Sequence, residues 1–219
     1  MNEKHIFPWW MGYFLISPLR KWRDNPETML GSYLRPSMSA LDAGCAMGFF
    51  SLPMARMCGE RGKVICVDLQ PKMLRSLERR AGRAGLASRI ETRVCTPESL
   101  EISDLHGQVD FALAYAVLHE AFNPRQFLRE IHRALGQKGL LFFGEPSGPV
   151  RPSEFEEELA LIAGAGFVRI PSRHPAGHQC AVFAKESART KVSRTRSQPS
   201  GSLSRALPPV PASGGGMSA

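Results

Sequence analysis

The sequence predicts a doubly wound α/β domain on a mostly parallel sheet, and three observations carry that prediction. Apolar runs of strand length alternate with amphipathic stretches of helical period between residues 26 and 185. A turn holding Gly44 and Gly48 joins one such strand to a helix, and the next strand closes on an acid, Asp68. The last two apolar runs are linked by Ser172 to His178, too short for a parallel crossover, so they must pair antiparallel.

The elements follow in order. A helix is expected over 26–34, then a strand over 39–43 that ends at the glycine turn. A second helix, 49–58, leads to the strand 63–68, and a third, 71–84, leads to a strand over 89–94. The strand 108–115 (Gln-Val-Asp-Phe-Ala-Leu-Ala-Tyr) reads as buried. A helix over 124–136 has Phe127, Leu128, Ile131 and Leu135 on one face and Pro124 in its first turn. Gly136 to Gly139 reads as a turn into a buried strand over 138–144. A helix over 153–164 precedes the closing strands 167–171 and 179–184. No internal repeat is present.

In an open α/β sheet the ligand lies beyond the carboxyl ends of the strands, at the switch between the two halves. Glycines there let a ligand approach the backbone, and the helix start offers free N–H groups. Asp42, Gly44, Ala46 and Gly48 therefore form the candidate cofactor turn. Asp68 is placed to accept from ribose hydroxyls, with Leu69 or Gln70 on the adenine side. The dinucleotide fingerprint wants glycine at the first, third and sixth places of the turn. Those places hold Gly44, Ala46 and Phe49, so a nicotinamide cofactor is disfavoured.

The turn resembles the first motif of class I S-adenosylmethionine (SAM)-dependent methyltransferases, Asp/Glu-x-Gly-x-Gly-x-Gly, with Ala46 in place of one glycine. The later order of strand, Leu118-His119, helix, glycine turn and strand is similar to small-molecule methyltransferases related to quinone biosynthesis. That resemblance implies a Rossmann-like, seven-stranded sheet in the order 3-2-1-4-5-7-6. It also implies SAM as cofactor and methyl transfer to a small molecule. Cys95-Thr96-Pro97-Glu98-Ser99-Leu100 stands where such enzymes commonly have Gly-Asp-Ala-Glu-x-Leu. Thr96 replaces the acid that would accept from the adenine amino group, and backbone around Thr96 and Pro97 is left to serve the ring; Glu98 reads as an exposed residue.

Tyr115, His119 and Glu120 follow the fourth strand, where acceptor and methyl group should meet. An imidazole titrating near neutrality suits proton removal from an acceptor. Glu145 ends the fifth strand on the same side. The acceptor is expected to be apolar or aromatic, because the N-terminal stretch holds Phe7, Trp9, Trp10, Tyr13 and Phe14. The alternative is a catalytically degenerate module of the same fold, motivated by Ala46 and Thr96. No metal site is expected: His174, His178 and Cys180 read as hairpin residues rather than zinc ligands.

Three segments are expected: an aromatic helical or lid segment over 1–25, the domain over 26–185, and a tail over 186–219. Residues 6–16 are too short to span a bilayer, although peripheral membrane contact is a second reading for them. Five scattered cysteines without a Cys-x-x-Cys pair suit a reducing, cytoplasmic setting. The net charge of +8 is concentrated at the end, where six basic residues and one acid follow from Lys185 onward. That Ser-, Pro- and Gly-rich tail reads as disordered. Nucleic acid is not the expected partner, because Ala114-Tyr115-Ala116-Val117 departs from the Asn/Asp-Pro-Pro-Tyr pattern that presents a flipped base.

Overall fold

Strands whose two faces are both apolar need a cover on each side, and the chain supplies it. The structure, a computed structural model, describes residues 24–146, 150–172 and 179–186. The aromatic N-terminal segment, His174 and His178, and nearly all of the basic tail lie outside these residues.

The described elements run α1 (Pro26–Leu30), β1 (Ser39–Ala43), α2 (Ser51–Met57), β2 (Lys63–Asp68), α3 (Pro71–Arg83), β3 (Ile90–Val94) and β4 (Val109–Tyr115). They continue as α4 (Pro124–Ala134), β5 (Leu135–Glu145), α5 (Pro152–Gly164), β6 (Phe167–Ile170) and β7 (Gln179–Lys185). Among the described residues these strands form one seven-stranded sheet, order β3-β2-β1-β4-β5-β7-β6. The β1–β2, β1–β4, β2–β3 and β4–β5 pairs are parallel, and β7 runs antiparallel to both β5 and β6. This is the order that the resemblance implies.

Successive strand residues point to opposite faces, and here the alternation divides two cores. Leu41, Ile65, Val67, Ala112, Leu141, Phe143 and Phe183 pack on one face with Leu128 and Ile131 of α4 and Phe155, Leu159 and Ile162 of α5. Ala40, Val64, Cys66, Phe111, Leu113, Phe142 and Val182 pack on the other. There they meet Met29 and Leu30 of α1, Met54 of α2, and Leu74 and Leu77 of α3. Each fully buried Leu, Ile or Phe contributes about 1.5–3 kcal/mol relative to exposure. Covering both faces leaves the carboxyl ends of the parallel strands as the open rim.

Two boundaries differ most from expectation, and the helix expected over 124–136 stops at Ala134, so that Leu135 opens a strand instead. Helix α1, started by Asn25 accepting from Thr28 N at 3.1 Å, ends at Leu30 rather than 34, where turns follow and the Gly31 and Leu34 carbonyls accept from the Arg35 guanidinium instead. Strand β5 begins at Leu135, where the sequence reads a turn. Val109 pairs with Leu135 and Phe111 with Leu140, so two steps along β4 face five along β5 and Gly136–Gly139 bulge from the ladder.

Candidate active site

The turn between β1 and α2 is built by close approach. Gly44 has φ +82°, and a Cβ there would lie 2.6 Å from Val117 Cγ2. Gly48 has φ +80°, and a Cβ there would collide with Leu77 of α3. Both positions therefore need glycine for backbone conformation and for space. Gly44 N and Cys45 N donate to Val67 O at 2.9 and 3.0 Å, which ties the turn to the tip of β2. Arg80 of α3 donates to the Met47 carbonyl from the other side.

Ala46 holds φ +47°, a left-handed conformation that costs an alanine about 1 kcal/mol or more. What it gains is visible. Its N–H donates to Asp68 Oδ2 at 2.9 Å, while Gln70 N donates to Oδ1 at 2.8 Å. The Asp68 carboxylate therefore joins the turn after β1 to the turn after β2. Each oxygen keeps lone pairs for a second donor. Burial pushes the Asp68 pKa up, and the two N–H donors pull it back in part.

Asp42 is 3% exposed, and its Oδ2 accepts from Ser51 Oγ at 2.5 Å. It fastens the end of β1 to the start of α2, a partnership the sequence reading did not foresee. Gly44, Ala46, Asp68 and Leu69 are half-buried at the rim, whereas Thr96 and Pro97 are exposed. The Thr96 hydroxyl accepts from Ser99 N at 3.1 Å and so closes its own turn.

On the neighbouring side, the chain leaves β4 through Ala116, another left-handed alanine (φ +57°), whose N–H donates to Gly144 O at 2.9 Å. Strained backbone at the ends of both β1 and β4 marks the switch point of the sheet. The kink sets the 3-10 turn Leu118–Glu120 over the end of β5. His119 Nδ1 lies 2.9 Å from Glu145 Oε2, and its Nε2 lies 3.8 Å from Glu120 Oε1. Glu145 is fully buried, whereas the His119 side chain is 32% exposed. The hydrogen bond to Glu145 pushes the His119 pKa up, against the effect of burial. Tyr115 is only 6% exposed and packs on Phe50 with ring centroids 4.8 Å apart, so its ring belongs to the core behind the rim.

Glu158 of α5 also reaches this cluster, with a ligating atom within 4.8 Å of those of His119 and Glu145. It was missed in the sequence, yet a signal existed. Glu158 sits on the apolar stripe of Phe155, Leu159 and Ile162 and is 8% exposed. The cysteines offer no reactive thiol here: burial pushes Cys95 and Cys180 up to about 12 and Cys58 to about 11.

Residues 41–143 match the family model described as a methyltransferase domain. No curated protein matches the chain. Among solved structures, a SAM-dependent methyltransferase from Aquifex aeolicus is similar at 23% identity and TM-score 0.72, over 82% of this chain and 98% of that one. The [4+2]-cyclase SpnF is similar at 23% identity and TM-score 0.56, over 69% of this chain and 57% of that one. CrArsM, an arsenic(III) S-adenosylmethionine methyltransferase from Chlamydomonas reinhardtii, is similar at 18% identity and TM-score 0.53, over 69% and 64%. These likenesses speak for the fold, and a cyclase among them shows that the fold alone does not name the reaction. The residues present fit a nucleoside ligand, since a carboxylate at the β2 tip and a turn closed to any Cβ stand side by side. Over residues 41–143 the chain thus matches the methyltransferase-domain family, and its sheet order and glycine turn give it the fold of the SAM-dependent methyltransferases it resembles.

Proposed function

We propose that the protein methylates a small molecule with an apolar or aromatic body, held beside His119 at the ends of β4 and β5. The observation that carries the reading is Asp68 locked to Ala46, because it pairs a ribose acceptor with the glycine turn. Bound SAM supplies a methyl group already activated on a sulfonium. The chain's task is then orientation and exclusion of water, and good alignment is worth roughly 7–11 kcal/mol. Asp68 takes the ribose hydroxyls, the Gly44–Gly48 turn takes the methionine end, and Leu69, Thr96 and Pro97 border the adenine. His119, with Glu145 behind it and Glu120 at the mouth, forms the polar end of the acceptor site. Tyr115 backs that end from the core. An apolar body is supported by Phe122, a ring left 47% exposed three residues after His119.

The direct test is methyl transfer from labelled SAM to a panel of hydroxylated aromatic and aliphatic molecules. Label appearing in an extracted product supports the reading. SAM binding without transfer to any of them favours the degenerate module.

Acidification offers a second check. The folded Asp68 pKa is raised, so its carboxylate is lost at a pH above the ordinary aspartate range near 3.9. A protonated carboxyl cannot accept from both ribose hydroxyls and both N–H groups. SAM affinity should therefore be full at neutral pH and fall as pH descends through that raised value. Calorimetry from neutral pH down toward the ordinary aspartate range should show the fall in the native chain and a flat profile in Asp68→Asn. Identical profiles would remove Asp68 from the site.

A further inference from the structure

We propose that His119, Glu145 and Glu158 form a binding site for a divalent transition-metal ion at the acceptor end of the domain. The inference rests on that end being where the acceptor binds, and it adds what holds the acceptor there.

Three separate elements converge on the cluster. His119 comes from the 3-10 turn after β4, Glu145 from the last residue of β5, and Glu158 from the middle of α5. One ligating atom from each lies within 4.8 Å of the others. Two of the three side chains are carboxylates, at 0% and 8% exposure. Glu145 carries the more telling observation. Its Oε2 holds His119, but its Oε1 is buried with no hydrogen-bond partner among the described residues. A buried carboxylate oxygen ordinarily has a partner. A cation between the three side chains would supply it.

The donor set selects the ion. One imidazole and two carboxylates suit Zn²⁺, Mn²⁺ or Fe²⁺ better than Mg²⁺, which prefers oxygen and water alone. Ligand bonds of about 2.0–2.2 Å require the three atoms to draw together slightly, within reach of small side-chain rotations. Three protein ligands leave a coordination position open. Since His119 is the exposed member, that position faces the cleft. An oxygen of the acceptor bound there would be more acidic than in water and would release its proton to solvent before methylation. The site thus favours acceptors carrying a hydroxyl or carboxylate near the methylated atom.

The test uses the full chain stripped of metal with a chelator, titrated separately with Zn²⁺ and Mn²⁺ by calorimetry. The expected result is one ion per chain, with binding weakened tenfold or more in both Glu145→Gln and Glu158→Gln. SAM binding, measured on the same samples, reports folding and the cofactor reading independently. In the native chain, substoichiometric Mn²⁺ should selectively broaden the His119 ring signals in an NMR spectrum. The proposal is overturned by no binding of either ion at millimolar concentration. It is equally overturned by binding that both substitutions leave unchanged, or by Mn²⁺ that leaves the His119 signals sharp.

Discussion

Replacing Asp68 with alanine should cost the protein its cofactor and part of its stability together. The carboxylate accepts from Ala46 N and Gln70 N at 2.9 and 2.8 Å, so its removal leaves two N–H groups unsatisfied. Each such loss in a partly buried setting costs about 1–3 kcal/mol. Ala46 then keeps its left-handed strain with nothing to offset it, and the turn loosens at the point where the cofactor must dock. SAM binding should weaken tenfold or more, roughly 1.4 kcal/mol. Asp68→Asn, which keeps one acceptor, should fall between the native chain and the alanine variant in both respects. Urea unfolding and SAM calorimetry on the three proteins give the ranking. A folded Asp68→Ala chain that binds SAM normally would end the assignment.

Gly44→Ala should be the most damaging single-methyl change at the rim. The new Cβ adopts a left-handed φ, at about 1–2 kcal/mol. It also meets Val117 at 2.6 Å, where overpacking adds about 1–3 kcal/mol. The sum is about 2–5 kcal/mol. Gly85→Ala is the control, because Gly85 also has a positive φ (+67°) but nothing lies within 4 Å of its Cβ position. It should show the backbone cost alone. Trimming Val117 to alanine in the Gly44→Ala background should restore part of the loss. Equal unfolding free energies for the Gly44 and Gly85 variants would refute the steric account.

These residues also show what a sequence discloses. The apolar runs displayed the central strands, because both faces of the sheet are buried there, whereas the edge strand β3 is half-buried and carries Glu91 and Arg93. The short final connection fixed the antiparallel hairpin. The positions of Gly44 and Gly48 in a tight turn and of Asp68 at a strand end were legible because local backbone geometry and strand ends both leave marks in a few consecutive residues. The Asp42–Ser51 bond was not legible, since either group alone reads as an ordinary cap or ligand. Strand β5 was misread at its start because two glycines signal a turn equally well whether the chain reverses or bulges. The metal cluster was hidden for another reason. Its members stand at 119, 145 and 158, on three elements with no fixed spacing, and only the misplaced polarity of Glu158 hinted at it.

The placement of β7 has a consequence for how the chain is made. Its residues, Gln179–Lys185, come last of the strands in sequence, yet they lie between β5 and β6 in the sheet. During synthesis β5 and β6 therefore emerge before the strand that joins them. Until it arrives, the edge of β5 and the whole of β6 are unpaired, the exposure that favours mispairing with other chains. A ribosome paused before residue 179 would carry a domain with its cofactor turn already encoded and its sheet still open. Insertion of β7 thus closes the sheet, and nascent chains stopped short of it should be the ones that chaperones hold.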